Sequence, residues 1–454
     1  MIAANQVHIV VGVVTAALLA TASPAVAQRL ERPPRSVDGL FGGRRVVDPN
    51  RTSQELSLTI DLLGGYDDNV TPAGEDAPSP FVPQQSSYVG TASTALRYRR
   101  GNTRRSVAMS GEVYVNSYSR LELGPQVGGD AAIDASTNLG ERTLLTGNAG
   151  ALYQPTFLIG AFGSIPGETE NGVIPDAGGM GGLSEQRWLQ TQASAGLERS
   201  WTMRQRTAIS YTFSDRQPTG GAALLETRAR GVTLRHTWRV ARSASLNVGY
   251  EHANDSSEQP TGPAIPFRSH NVQAGVDFTR RLSSTRTWGV GLGAGVTEAQ
   301  TLVGVGMVPA EDTSPTFYGS LRADLGRTWA VSANARRDLT RLHDLTPQTF
   351  LATVGSMNVG GTIVGPLQVG LAAAYSEGVA RDRETGSYQI FAGTMQLQYA
   401  VSRCCDLFGS YAYYQHRVLD VAAVPVGFPS AYDRNAVRVG LSILLPLHGT
   451  FQVE

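Results

Sequence analysis

The chain has 454 residues, enough for two or three soluble domains, yet its composition does not shift along its length as a domain boundary would require. Its 38 basic side chains, all of them arginine, balance 38 acidic ones, and charged residues make up only 17% of the sequence. That balance excludes a basic nucleic-acid binder and an acidic disordered chain, so no nucleic-acid partner is implied.

The first 27 residues hold an apolar run from Ile9 to Leu19, followed by Ala25, Val26 and Ala27, the small-x-small pattern that signal peptidase cuts. The run is too short to span a bilayer, and only the terminal amine supplies positive charge before it. Residues 1–27 therefore read as a signal peptide whose cleavage leaves Gln28 first. Residues 28–53, with Pro33, Pro34, Arg44 and Arg45, lack hydrophobic periodicity and read as a flexible periplasmic segment. No later stretch approaches the roughly 20 apolar residues of a membrane helix, so any spanning must be done by strands.

From Gln54 onward the pattern has period two. In QELSLTIDLL, Leu56, Leu58, Ile60 and Leu62 share one face. Val107, Met109, Gly111, Val113 and Val115 oppose Ser110, Glu112 and Tyr114, and Val272, Ala274, Val276 and Phe278 oppose Gln273, Gly275 and Asp277. Phe317 to Leu325 and Val437 to Leu445 repeat the arrangement. One face suits hydrocarbon and the other water. About eighteen such segments can be counted, each near the roughly 9–11 residues that a tilted strand needs to cross a bilayer. An even number lets the first strand, near Leu56, pair with the last, near Leu441, and leaves no open edge. The expected fold is all-β, a single transmembrane antiparallel barrel over 54–454. The patterning is weakest around residues 131–153 and 351–375.

Connections sort by length, as in outer-membrane barrels, where short periplasmic turns alternate with longer extracellular loops. Tight links fall at Arg99–Arg105, Gly140–Arg142, Val240–Ala244, Leu282–Arg286, Gly326–Trp329, Gly365–Leu367 and Ser402–Asp406. Longer stretches run over Asp67–Gln85, Pro155–Gly182, Asn254–Pro266 and Val418–Ser430. Tyr and Trp residues, Tyr66, Trp201, Trp238, Trp288, Trp329 and Tyr399 among them, gather near strand ends, where headgroups would lie.

The opening strand and its exit, Leu58 to Val70, end in Tyr66, Asp67, Asp68 and Asn69. This resembles the start of the outer-membrane β-barrel porin families of Gram-negative bacteria, whose first strand closes on a Tyr-Asp-x-Asn-like signature. The resemblance implies a barrel in the bacterial outer membrane, surrounded by its lipids and inserted by the barrel-assembly machinery. Some such families accompany exopolysaccharide secretion, which would add polysaccharide-export proteins as partners. The C-terminal GTFQVE departs from the pattern, ending on Glu454 instead of an aromatic residue.

The same alternation assigns lumen-facing charges: Arg97, Arg235, Arg239, Glu251, Asp277, Arg322, Asp324, Arg336, Asp338 and Arg438, with Arg99, Glu112 and Glu198 in the same phase. Opposed acidic and basic rows would set a transverse field across a pore; the alternative is a set of neighbouring ion pairs tying strands together. The long Pro155–Gly182 loop either folds inward to narrow the channel or stays outside. Cys404 and Cys405 sit adjacent in a turn and could form a vicinal disulfide, remain as thiols or bridge two chains. Asp67, Asp68 and Asn69 offer hard oxygen ligands for Ca²⁺, or simply end a strand. No other ligand set suggests a metal or cofactor. For a barrel-mouth hydrolase the available groups are His343 with Asp344, and the outward His236 and His252, with no serine at a defensible spacing. The leading expectation is a passive channel for small polar solutes or sugars, without enzyme activity. The alternatives are an exopolysaccharide exit and the hydrolase.

Overall fold

The computed structural model describes residues 53–449 apart from 70–71, 74–85, 103, 120–124, 156–182, 185–186, 219–225, 259–264, 284, 304–307, 327, 342–348, 382–385, 403 and 420–429. The expected signal peptide, most of the 28–53 segment, His343 with Asp344, and Thr450 to Glu454 at the end of the chain lie outside the described residues.

Eighteen long strands and two two-residue bridges are present among those described. In chain order they are β1 (Ser53–Asp67), β2 (Pro72–Ala73), β3 (Ser87–Gly101), β4 (Arg105–Tyr118), β5 (Gln126–Asn138), β6 (Thr143–Pro155), β7 (Leu183–Ser184), β8 (Arg187–Ser200), β9 (Gln205–Pro218) and β10 (Glu226–Arg239). They continue as β11 (Ala244–Glu258), β12 (Ile265–Ser283), β13 (Arg286–Val303), β14 (Val308–Leu325), β15 (Trp329–Arg341), β16 (Thr349–Val364), β17 (Leu367–Ala380), β18 (Ser387–Ala400), β19 (Cys405–Leu419) and β20 (Ala431–Gly449). Each long strand pairs antiparallel with the next, and β1 pairs with β20 through Leu62↔Leu441, so the sheet closes on itself. Closure satisfies the backbone without an edge, a condition that hydrocarbon imposes.

The strands are 13–19 residues long, exceeding the bilayer-crossing length expected from the sequence. They run on past the hydrocarbon, and so the stretch Asn254–Pro266 is mostly strand, with only 259–264 between β11 and β12. The weakly patterned regions form ordinary strands too. In β5 and β17 small residues occupy both faces, which blurs the alternation while the ladder continues unbroken.

Eight short links lie at one end, and four of them share one backbone bond: Leu139 N donates to Thr143 O, Trp201 N to Gln205 O, Val240 N to Ala244 O and Val401 N to Cys405 O. Between β16 and β17 only Gly365 and Pro366 intervene. The φ of +50° at Gly365 suits a two-residue hairpin that other residues would strain. Outward side chains form the apolar band: Val248, Val272, Val276, Leu292 and Phe317 are all exposed. Trp201, Trp238, Trp288 and Trp329 mark its short-turn border, where Arg199 stacks 4.6 Å from the Trp201 ring. Because Val276 lies near the middle of this band, Val276→Arg should cost about 2–4 kcal/mol. Urea titration of the barrel folded in lipid vesicles would reveal this, and an unchanged midpoint would place the band elsewhere.

The inner wall is not polar throughout, which corrects the simple water-facing expectation. Toward the long-loop end of β16–β20 it carries a buried cluster that includes Phe350, Val354, Tyr388, Ile390, Tyr414 and Tyr432. Phe350 meets Tyr388 edge-on at 5.2 Å, and His416 stacks on Tyr432 at 5.5 Å.

Candidate functional site: the charged inner wall

All ten sequence-assigned lumen residues occupy the inward phase of their strands. Arg97 stands opposite Ser57 and Ser110, Arg235 opposite Gly249, Arg239 opposite Ser245, Glu251 opposite Asn271, and Asp277 opposite Gly291. Arg322 faces Ser332 in register, Asp324 Ala330, Arg336 Tyr318, Asp338 Ala352, and Arg438 Gly65. Arg97, Arg239 and Arg322 turn away from lipid and yet are exposed, so water reaches the inside of the wall beside them.

The structure interleaves opposite charges on one wall instead of setting them in facing rows. Across β10–β14 a chain of contacts lies flat on the sheet. The Tyr318 hydroxyl donates to Asn247 Oδ1 (2.7 Å), Asn247 Nδ2 donates to Asp277 Oδ2 (2.7 Å), and Arg235 stands 3.7 Å from that carboxylate. Tyr318 can reach so far because the wall beneath it has no side chains: a Cβ at Gly275 or Gly293 would overlap its ring. Gly293→Ala should therefore lift the ring into the lumen, break the bond to Asn247 and lower single-channel conductance. A variant with wild-type conductance would show that the ring does not border the water path.

Nearer the long-loop end, Asp338 accepts hydrogen bonds from Thr297 Oγ1 (2.8 Å), Asn271 Nδ2 (3.3 Å) and its neighbour Leu339 N (2.7 Å). Arg336 and Asp338 both lie close enough to Glu251 to act on it electrostatically, while Arg336 Nε is buried with no hydrogen-bond partner. Glu198 pairs with Arg206 at 3.0 Å. On the neighbouring strands β16, β17 and β18 the inward positions from Phe350 to Gln398 carry no charge. The lumen thus has a charged side and an uncharged side.

Sequence reasoning missed Arg434. Its guanidinium grips Asp67 through Nε (2.8 and 2.9 Å) and Nη2, with both side chains only 2% exposed. Asn435 N and Nδ2 each donate to Asp68 at 2.7 Å, Asn69 Nδ2 donates to Asp433 O, and the Tyr432 hydroxyl donates to Asn69 O at 2.6 Å. Every member of the Asp67–Asn69 run is thus bonded to β20 at the end of β1. Arg434 shares the inward phase with Arg438, which is the sequence signal that could have exposed it. Among the described residues no group of three or more His, Cys, Asp or Glu is placed to hold a metal ion.

Three other groups complete the site's surroundings. Arg381 reaches past the ends of β15 and β16 to Asp312 (3.0 and 3.4 Å) and Ser314 (3.0 Å) at the mouth. The backbone of β2 pairs in parallel with β7, joining the links that follow β1 and precede β8; the long loop itself, 156–182, is outside the described residues. Cys404 and Cys405 lie at the short-turn end with their sulfurs 3.2 Å apart, beyond the roughly 2.05 Å of a disulfide. Of the two outward histidines named from the sequence, His236 Nδ1 bonds Thr207 Oγ1 (2.9 Å), and His252 stacks on His270 at 4.6 Å.

A closed, even-stranded antiparallel barrel, apolar outside and charged inside, with its first and last strands entering from the short-turn end, is a transmembrane β-barrel of the bacterial outer membrane. This is the architecture that the resemblance to porin families implied. No family model and no curated protein matches the sequence. Among solved structures it is similar to OccAB2 of Acinetobacter baumannii, at 10% identity and a TM-score of 0.44 over 88% of this chain and 98% of that one. It is also similar to Pseudomonas aeruginosa OccK2 (OpdF), solved in complex with glucuronate, at 11% and 0.43 over 87% and 98%. The ferric-catecholate import receptor Fiu of Escherichia coli K12 gives 9% and 0.43 over 87% and 82%. At such identities and TM-scores, what this lumen carries has to be read from its own residues.

Proposed function

We propose that the barrel is a passive channel for small polar solutes, sugars among them, which move along the charged side of the lumen from β3 to β15. The observation that supports this is the set of inward side chains, Arg97, Arg239 and Arg322, that lipid cannot reach and water can. An eighteen-stranded barrel is wide enough for an aqueous path. Charges lining that path order polar solutes, and the uncharged side gives them a surface without competing ion pairs. The test is conductance of the refolded protein in planar bilayers with neutral and charged sugars added to one side. Ohmic steps that sugars reduce are expected; a barrel that never conducts would overturn the reading.

A second reading rests on the buried apolar cluster around Phe350 and Tyr388 on the inner wall toward the long-loop end. In it the barrel serves polysaccharide export, with residues 28–53 meeting export proteins in the periplasm. A silent barrel that co-purifies with such proteins, and loses them when 28–53 is deleted, would favour it.

A further inference from the structure

The outward surface of β10–β12 changes character abruptly. Leu234, Tyr250 and Val272 lie side by side in register and are exposed, as lipid-facing residues are. One step toward the long-loop end the same face carries His252 opposite His270, and one step further Arg230, Asn254 and Arg268 in a row. The two imidazoles stack at 4.6 Å, and the Tyr250 hydroxyl contacts His270 Nδ1 at 2.8 Å, fixing that ring at the edge of the apolar band. His252 Nδ1 has no hydrogen-bond partner.

Arg230 and Arg268 are exposed, and neither has a carboxylate partner among the described residues. Arg228, which shares their outward phase, is by contrast taken up by Asp215 and Glu226. One strand, β11 with Asn254, lies between the two guanidinium groups, which puts them two interstrand spacings or about 10 Å apart. On the adjoining strands the outward acids are Glu298 of β13, which faces His270 in register, and Asp215 of β9, which faces Arg228 and is bonded to it.

We infer that this corner binds the phosphate of an outer-leaflet glycolipid, whose acyl chains lie along Leu234 and Val272 while Arg230 and Arg268 grip its phosphoryl oxygens. Guanidinium groups recognise phosphate through paired charge-assisted hydrogen bonds. The site stands where the hydrocarbon ends, which is the level of a lipid headgroup and well outside the lumen. Free phosphate offers the same oxygens but none of the apolar contact, so the inference commits to the lipid.

The test uses the full barrel in detergent, with native mass spectrometry and thermal shift read against three probes: bis-phosphorylated lipid A, its dephosphorylated form and inorganic phosphate. The phosphorylated lipid should bind at least about tenfold tighter than the dephosphorylated one, a difference worth about 1.4 kcal/mol. Combined Arg230→Gln and Arg268→Gln substitution should abolish that preference while leaving bilayer conductance unchanged. Equal binding of the two lipids, or an undiminished preference in the double variant, would overturn the inference, as would inorganic phosphate matching the lipid. If the double variant does not fold, the His252→Gln variant serves, with a several-fold weaker preference expected and an unchanged one counting against the site.

Discussion

Arg434→Met should open the seam between β1 and β20 to denaturant. The guanidinium is buried and holds both oxygens of an equally buried Asp67, so removing it strands a carboxylate where water cannot reach. Breaking a buried pair from one side costs about 3–5 kcal/mol, because the surviving charge is uncompensated. The companion Asp67→Leu, Arg434→Met double variant should recover most of the loss, since replacing both members of a buried pair with apolar groups is often neutral. Urea titrations of the barrel in lipid vesicles, followed by the gel shift between folded and unfolded forms, would measure both. A single variant with the wild-type midpoint would mean that the adjoining Asn435–Asp68 and Tyr432–Asn69 bonds close the seam without Arg434.

The second large effect is on selectivity. In Asp277→Asn the amide keeps the shape that Asn247 contacts, but the charge opposing Arg235 disappears. A unit charge about 4 Å from a passing ion is worth about 1 kcal/mol even in water, and 1 kcal/mol corresponds to about a fivefold change in relative permeability. The permeability of anions relative to cations should rise by about that factor in Asp277→Asn. It should fall in Arg235→Gln and return toward the starting value when the two are combined. Reversal potentials across a salt gradient read all three. If Asp277→Asn and Arg235→Gln shift in the same direction, the pair does not border the ion path and the charged side of the lumen is not the route.

Much of this protein was legible before its structure. Alternation with period two fixed which residues face lipid, because a strand's side chains point to opposite sides in turn, and a hydrocarbon environment tolerates only one kind of residue on the outer side. That is why the strands could be read one by one, and why an even count of them implied that the first would pair with the last. The sequence could not reveal which inward residues touch. Tyr318 and Asn247 are far apart in the chain and two strands intervene between theirs; they meet only because Gly275 and Gly293 leave the intervening wall bare. Asp67 finds Arg434 only through ring closure. The inward apolar cluster escaped notice because near Phe350 and Ile390 both faces of the strand are apolar, which erases the contrast that periodicity depends on. Local chemistry along each strand therefore determined the barrel and its two faces. The pairing of charges, the place where the seam locks and the uncharged side of the lumen were decided by register and curvature, which bring together residues that no local pattern links.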